Sequence, residues 1–327
     1  MKQIYIKTTN KCNLHCKHCY MARYRNQDTY FDEIQTCNWI NNYLQYINDK
    51  DILISLHGGE PLLCPNDKII YTLDFFRDRN ISTGITSNLI FNISDKIDIL
   101  NKLYDYTFGA KVIKTSFDFG DIRFTEKTYN TWFNNVKELK KLGFVVGVNV
   151  CATKETVNTE VRYFIDKINN FNIDFINFER LTPPAKETLF PNVISFNNWF
   201  VDLYDNYNLC NFKIGNFEQL RDTIRRGIFY GCNKRTCTQD VVTINTNGTI
   251  GGCPNCSDRV IFTNIYKNAE DYFNSNVKKS QQQKEKTKKI NCLACSLYKY
   301  CNGDCFQLSW SKDCWFYKKL ANRIIGS

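Results

Sequence analysis

The stretch Lys11-Cys12-Asn13-Leu14-His15-Cys16-Lys17-His18-Cys19-Tyr20 places three cysteines in a C-x3-C-x2-C loop. Three closely spaced thiolates can bind three irons of a [4Fe–4S] cube and leave the fourth iron without a protein ligand. An open coordination site on a redox metal is a place where a small molecule can bind and react. The loop therefore predicts a catalytic iron–sulfur centre held by Cys12, Cys16 and Cys19.

The composition favours a cytosolic metalloprotein. The chain has 327 residues, 43% of them hydrophobic, which is enough for one large domain or for a large and a small one. No apolar run of 18 residues lacks charge, and the start of the chain lacks the apolar core of a signal peptide, so we expect no membrane partner. In the cytosol, sixteen cysteines indicate metal binding, whereas a disulfide scaffold would need an export signal.

The net charge of +10 indicates a solvated basic surface, part of which bound clusters would offset. It is compatible with acidic substrates. No nucleic-acid module is recognisable, which argues against a nucleic-acid partner.

Strand and helix patterns alternate up to about residue 185. The predicted strands span residues 3–8, 51–56, 81–86, 111–117, 144–152 and 173–179, and the predicted helices span 31–46, 67–79, 94–103, 129–142 and 158–170. Repeated βα units with apolar strands predict an α/β fold with a parallel sheet, and six units fit a partial (β/α)6 barrel. The cysteine loop, a Gly-Gly turn, Asn88 and the Ser116 segment each follow a strand, at the end where barrel active sites form.

The pattern changes beyond residue 181, where Pro183-Pro184 and Pro191 mark a break. We expect residues 1–185 to form the partial barrel and residues 186–231 to form connecting helices, at 196–206 and 217–227. Residues 232–327 form a predicted small cysteine-rich domain, with a hairpin that turns at Asn247-Gly248.

With Gly58-Gly59-Glu60-Pro61 after the second strand, residues 5–180 resemble the radical S-adenosylmethionine (SAM) superfamily. The resemblance implies a cluster on Cys12, Cys16 and Cys19 whose open iron chelates the amino and carboxylate groups of SAM. It also implies that Gly58, Gly59 and Glu60 receive the SAM amino group, because a backbone turn and a carboxylate suit a cation. His18 stands where these enzymes usually carry an aromatic residue next to the cofactor.

Ser116-Phe117-Asp118-Phe119-Gly120 resembles the family's S-x-D-G segment with one extra residue. The resemblance implies that Ser116 and Asp118 lie at the SAM site, with Ser116 near the carboxylate or ribose. Relatives carry an arginine further on that contacts the carboxylate, and here Lys127 or Arg123 would serve, or the contact is absent. Asn88 and Arg180 fit a ribose or carboxylate role, and a strand-end cap equally well.

The second cysteine field, Cys237-x10-Gly248-x4-Cys253 followed by Cys292-x2-Cys295-x5-Cys301-x3-Cys305 and Cys314, resembles the SPASM domain of radical SAM proteins. The resemblance covers residues 232–325 and implies two auxiliary [4Fe–4S] clusters, three clusters in all. The implied ligands are Cys232, Cys237, Cys253 and Cys305 for the first, and Cys292, Cys295, Cys301 and Cys314 for the second. Two alternatives stay open: Cys256 could replace Cys232, and zinc could fill the C-x2-C pairs.

The remaining cysteines, Cys37, Cys64, Cys151, Cys210 and Cys256, are expected to be small buried apolar residues. Cys151, at the end of the fifth strand, has the best position for a substrate-facing thiol.

The resemblance implies an enzyme that cleaves SAM to a 5′-deoxyadenosyl radical, with electrons from an external donor such as flavodoxin or ferredoxin. SPASM enzymes mostly modify peptides or proteins, so the leading hypothesis is a maturase that forms a carbon–carbon or thioether crosslink in a ribosomally made peptide. Since the first predicted strand begins at residue 3, we expect either a separate leader-binding protein or direct recognition of the peptide.

Two alternatives compete with this hypothesis. Sulfatase-maturating enzymes, which form formylglycine, usually carry an aspartate base directly after the equivalent of Cys253, where this chain has Pro254, although Asp258 or Asp240 could approach. The second alternative is a non-catalytic electron-transfer or scaffold protein with three clusters. The glycine turn and the Ser116 segment argue against it.

Overall fold

The computed structural model describes residues 2–47, 51–181, 187–287, 290–306, 314 and 316–326. The described strands are β1 (Lys2–Thr9), β2 (Ile52–Gly58), β3 (Ser82–Thr86), β4 (Val112–Phe117), β5 (Val145–Cys151), β6 (Phe175–Glu179), β7 (Lys213–Ile214), β8 (Val241–Ile244), β9 (Thr249–Gly251) and β10 (Ile261–Asn264). The described α-helices are α1 (Glu33–Tyr46), α2 (Asn66–Arg77), α3 (Ile97–Lys102), α4 (Glu126–Lys141), α5 (Lys154–Asn158), α6 (Val161–Asn169), α7 (Val193–Asp205), α8 (Gly215–Arg226), α9 (Cys237–Asp240), α10 (Ala269–Asn274), α11 (Asn276–Lys286), α12 (Ile290–Leu293), α13 (Tyr298–Cys301) and α14 (Lys318–Ile325).

All strands belong to one sheet with the order β10-β9-β8-β1-β2-β3-β4-β5-β6-β7. Strands β1 to β7 run parallel, and helices separate most of them in sequence, so the predicted α/β class with a parallel sheet is confirmed. The predicted hairpin is present as β8 and β9, and β8 pairs with β1 in parallel. This pairing brings the cysteine-rich part of the chain beside the strand that leads into the C-x3-C-x2-C loop.

The two faces of the sheet have different roles, because side chains alternate along each strand. On β4, Thr115 and Phe117 are buried under the helices, and Trp132 of α4 donates from Nε1 to Thr115 Oγ1 at 2.9 Å. We call the opposite face the lumen. Its side chains on the barrel strands include Tyr5, Lys114, Ser116, Asn149, Asn177 and Glu179.

Two predicted helices differ from the structure. A 3-10 turn, Ile93–Asp95, precedes α3, so the helix predicted at residues 94–103 is shorter. The single helix predicted at residues 158–170 is wrong at its start, because α5 ends at Asn158 and α6 begins at Val161. The Glu160 carboxylate accepts the first N–H groups of α6 and so begins a new helix there.

The predicted connecting helices correspond to α7 and α8. The predicted domain boundary at residues 185 and 186 lies outside the described residues, as do Pro183 and Pro184, and the boundary at residue 232 stays a prediction. Among the described helices, none combines the length and the apolar character that crossing a membrane requires.

Candidate active site

The cysteine loop follows β1 directly. Its three thiols are half-buried, and no disulfide involves them. Burial and the nearby Glu60, Cys16 and Cys19 charges raise the pKa of Cys12 to about 11, although the Leu14 amide donates to its sulfur at 3.5 Å. When a cation binds among such thiols, the thiols lose their protons and the cation stabilises the resulting thiolates. The donor set and its partial burial therefore fit an iron–sulfur cluster.

The Gly-Gly turn after β2 packs directly against this loop. The Gly59 amide donates to the Thr9 carbonyl and the Glu60 amide donates to the Lys11 carbonyl, each at 2.8 Å. Gly58 has φ of +138°, and a Cβ at Gly59 would lie 2.3 Å from the Lys11 carbonyl oxygen. Only glycine allows so close an approach of the two backbones.

Glu60 is buried within a network of hydrogen bonds at the ends of β2 and β3. Its carboxylate accepts from the Leu62 amide at 3.1 Å, from Ser87 Oγ at 2.8 Å and from the Asn88 amide at 2.6 Å. Burial raises the pKa of Glu60 to about 7, although these hydrogen bonds oppose the rise. Asn88 in turn directs its side-chain amide toward Cys12 Sγ at 3.8 Å.

Asp118 and Arg123 form an ion pair beside the cysteine loop. Arg123 donates from Nε to Asp118 Oδ2 at 2.7 Å and from Nη1 to Cys16 Sγ at 3.6 Å. Burial raises the pKa of Asp118, but the Arg123 and His18 charges and the hydrogen bonds from Arg123 and the Cys151 amide together outweigh it. They hold that pKa below its usual value. Ser116 lies on the lumen face of β4, in register with Asn149 of β5.

His18 joins this network through its Nε2 atom, which lies 3.2 Å from Arg123 Nη2 and 3.3 Å from Cys151 Sγ. The donor atoms of His18, Asp118 and Cys151 lie within 4.8 Å of one another, a spacing that could hold a metal ion. The Arg123 guanidinium already supplies the positive charge at this position, so we interpret the group as a hydrogen-bonded network. Cys151, expected to be a buried apolar residue and the best placed of the five for a substrate-facing thiol, is half-buried and contacts the cysteine loop through His18.

Arg180 follows β6 and points toward the cysteine-rich part of the chain. Its guanidinium forms a two-pronged ion pair with Asp304, in which Nη2 donates to Oδ1 at 2.8 Å. Arg180 thus joins β6 to the segment between Cys301 and Cys305.

The thiols of the second cysteine field converge in two groups. Cys232 hydrogen-bonds with Cys237 and with Cys305, and Cys253 hydrogen-bonds with Cys256. Cys305 is close enough to influence the pKa of Cys256, so Cys232 and Cys256 both lie at the first group.

In the second group, burial and the neighbouring Asp304, Cys314 and Cys292 charges raise the pKa of Cys301 to about 12. The Cys295 amide donates to the Cys292 carbonyl at 3.2 Å, which holds Cys292 and Cys295 in one turn.

Lys7 is a site residue that the sequence patterns do not reveal. It is 1% exposed, donates to Ser257 Oγ at 2.9 Å and lies 5.7 Å from the centre of the Tyr20 ring. Burial lowers the pKa of Lys7 to about 8. It therefore joins the cysteine loop to the turn after Cys256, and the one signal for it in the sequence was a lysine directly after the run Ile4-Tyr5-Ile6.

Comparisons with known proteins agree with this arrangement. A family model described as the Radical SAM superfamily matches residues 6–165. An uncharacterized protein of Methanocaldococcus jannaschii is 31% identical over 207 residues, which cover 60% of this chain and 69% of that protein. The radical SAM cyclopropyl synthase TigE of Paramaledivibacter caminithermalis is 24% identical over 363 aligned positions, which cover 99% of this chain and 74% of that protein.

Among solved structures, native anSMEcpe with bound AdoMet and Cp18Cys peptide is similar with a TM-score of 0.78 and 17% identity. The match covers 99% of this chain and 95% of that one. At this identity the likeness concerns the fold, including the cysteine-rich part of the chain.

Proposed function

This chain belongs to the radical SAM superfamily, and from that premise we propose that it cleaves SAM reductively and crosslinks a ribosomally made peptide through a carbon–carbon or thioether bond. The observation that carries the proposal is the meeting of two cysteine fields. Because β8 pairs with β1 in parallel, the second field lies beside the strand that leads to Cys12. Lys7 bridges the two fields through Ser257 and Tyr20.

The residues of the chain suit this chemistry. Cys12, Cys16 and Cys19 would hold the SAM-binding cluster, and the second cysteine field would hold two auxiliary clusters in a SPASM-type domain. When bound, a reduced [4Fe–4S] cluster would supply the electron for cleaving SAM, and the 5′-deoxyadenosyl radical so formed would abstract a hydrogen atom. Arg123 and Asn88 direct N–H groups at the sulfurs of Cys16 and Cys12, which orients the ligands and stabilises their negative charge.

The remaining site residues form the proposed SAM cradle on the same rim of the sheet. The Gly58-Gly59-Glu60 turn and Ser116 would orient SAM, with Asp118 and His18 supporting the loop from the side. The lumen below this rim is lined by polar side chains that are mostly half-buried, and we propose that it receives part of the peptide.

The names of the relatives support a peptide substrate and a bond-forming reaction. The anSMEcpe structure contains AdoMet together with a peptide. The TigE relative is named a cyclopropyl synthase, and closing a three-membered carbon ring requires a new carbon–carbon bond. A protein electron donor and a leader-binding protein are the further partners we propose.

The proposal is tested with anaerobically reconstituted protein, SAM, dithionite and synthetic copies of any short peptides encoded beside its gene. We expect 5′-deoxyadenosine and a peptide that has lost two hydrogen atoms, both detected by mass spectrometry. The triple variant Cys12→Ala, Cys16→Ala, Cys19→Ala is the control and should form neither. Cleavage of SAM without any change in the peptide would contradict the proposal.

A second candidate is oxidation of a cysteine or serine to formylglycine, as in sulfatase-maturating enzymes. The observation in its favour is Asp258, which accepts hydrogen bonds from Arg23 and Tyr24 just beyond the cysteine loop. Asp240 directly precedes β8, at the end of the strand away from the cysteine loop, and pairs there with Lys2 and Lys234. Incubation with a sulfatase-motif peptide separates the two candidates, and absence of 5′-deoxyadenosine in every assay would favour a non-catalytic cluster protein.

A further inference from the structure

The proposed crosslinking releases a proton, so it needs a base within reach of the peptide. The carboxylates beside the cysteine loop are already engaged. Glu60 accepts three hydrogen bonds, Asp118 is paired with Arg123, and Asp258 accepts two hydrogen bonds. Among the described residues, a carboxylate without such partners is found instead on another element that faces the lumen.

Glu179 differs from these carboxylates in its position and its contacts. It is the last residue of β6 and lies in register with Cys151 of β5. The preceding Phe178 packs against Phe164 and Trp199 in the helix layer, so the Glu179 side chain faces the lumen. The side chain is exposed, and within the described part of the chain its carboxylate has no hydrogen-bond or ion-pair partner.

The surroundings of Glu179 suit a proton acceptor. Burial inside the protein raises the pKa of its carboxyl above the usual value, and the Arg180 and Lys114 charges oppose the rise. The rise is limited, since the side chain as a whole remains exposed. The titratable groups that face Glu179 are Arg180, Lys114 on β4, Cys151 on β5, Tyr5 on β1 and Tyr317 before α14.

Glu179 also lies between the two cysteine fields. On one side, Cys151 contacts His18 of the cysteine loop at 3.3 Å. On the other, Tyr5 responds to the charge of Glu179 and to the charges of Cys253 and Cys232. A peptide that reaches from the cysteine loop toward the first group of the second field would therefore pass this carboxylate.

We propose that Glu179 is the general base that accepts the proton released when the peptide is crosslinked, an inference that rests on the proposed function. As the new bond forms, the hydrogen atom of one C–H bond passes to the 5′-deoxyadenosyl radical. The proton of the second reacting group, an S–H or another C–H, passes to Glu179. The remaining electron passes to an oxidised [4Fe–4S] cluster in the second cysteine field, so that two protons and two electrons leave the peptide in total.

The test compares the wild-type protein with Glu179→Gln and Glu179→Asp, using the same synthetic peptide. The readout is the ratio of crosslinked peptide to 5′-deoxyadenosine, measured between pH 5 and pH 9, because the pKa of this carboxyl is raised above the value of about 4.3 for free Glu. We expect the wild-type ratio to rise with pH through one ionisation. In E179Q the ratio should fall at least tenfold, since general-base catalysis typically contributes about 10²–10⁴-fold. The remaining ratio should lose its pH dependence, while E179D should recover part of both.

Three further measurements separate a base from a structural residue. Iron content, the electron paramagnetic resonance signal of each cluster and the dissociation constant of SAM report on folding and cofactor binding in every variant. Glu138→Gln, on the exposed surface of α4, is the matched control and should behave like the wild type. A ratio in E179Q equal to that of the wild type would overturn the inference, as would a loss confined to SAM binding or iron content. If the wild-type protein crosslinks no peptide, the proposed function fails first and this inference fails with it.

Discussion

At the scale of single residues, Arg123 shows how one side chain can support a metal-binding loop. It reaches Asp118, Cys16 and His18 at once, and its pair with Asp118 is almost fully excluded from solvent. Sequence resemblance made Arg123 a candidate for the SAM carboxylate. Its contacts show that the guanidinium is already engaged with the cysteine loop, so it acts on the cluster ligands whether or not it also touches SAM.

We predict that Arg123→Met strongly destabilises the protein, because it leaves Asp118 as a buried charge without a partner. Breaking a buried ion pair in this way costs about 3–5 kcal/mol. The thermal unfolding midpoint of the reconstituted protein should fall by roughly 4–7 °C, because an unfolding entropy of about 2.1 cal/mol/K per residue gives about 1.5 °C per kcal/mol for 327 residues. Because the pKa of Asp118 is held below its usual value, this contribution persists at neutral pH and is lost only as the pH falls through that lowered pKa.

The double variant Arg123→Met, Asp118→Asn provides the check, since removing both charges should restore part of the loss. Arg23→Met is the matched control. Arg23, which follows Cys19, also forms an ion pair, with Asp258. Its side chain is 55% exposed, so the effect on the unfolding midpoint should be small. Equal effects of the two single variants would contradict this account of Arg123.

At the scale of elements, the glycine turn after β2 acts on the neighbouring loop through its backbone. We predict that Gly59→Ala removes the SAM-binding cluster, because the added Cβ would lie 2.3 Å from the Lys11 carbonyl oxygen and displace the segment that carries Cys12. The electron paramagnetic resonance signal that SAM perturbs should disappear, and iron content should fall by about one cluster. Gly84→Ala in β3 is the control, since its Cβ would meet only Leu53 Cδ1 at an ordinary 3.7 Å. An unaltered signal in G59A would contradict the steric argument.

Local patterns in the sequence predicted the elements of the barrel but not their long-range contacts. The six strands and the hairpin at Asn247-Gly248 were predictable, because strand alternation and turn residues act over a few positions. The pairing of β8 with β1 was not, since nothing in either strand specifies a partner more than 230 positions away. The break between α5 and α6 was missed because Glu160 resembles an ordinary helix residue until its cap geometry is known.

The residues of the candidate site were likewise predictable only in part from the sequence. The C-x3-C-x2-C loop and the Gly-Gly turn have characteristic spacings, so sequence identified them. The contact of Lys7 with Ser257 and the exposed carboxylate of Glu179 depend on which face of a strand meets the lumen. A charged residue next to apolar ones in a strand was the only signal for each, and that signal does not indicate a partner.

At the scale of the whole molecule, the ion pair of Arg180 and Asp304 joins β6 to the segment between Cys301 and Cys305. Both side chains are largely buried, and the two flanking cysteines are the proposed ligands of different auxiliary clusters. We predict that Asp304→Asn loosens this segment, because the buried Arg180 charge loses its counter-charge. Backbone hydrogen exchange in residues 290–306 should become faster, and iron content should fall.

The same pair can separate two roles of Arg180. Arg180→Lys should reproduce the faster exchange of Asp304→Asn, because a lysine cannot form the two-pronged contact. If Arg180 also binds the SAM carboxylate, R180K should weaken SAM binding in equilibrium dialysis, whereas D304N should not. Asp205→Asn is the control, since its pair with Arg323 also joins distant parts of the chain but both side chains are at least 40% exposed. Wild-type exchange rates across residues 290–306 in D304N would show that the clusters alone hold this segment in place, and would contradict a bracing role for the ion pair.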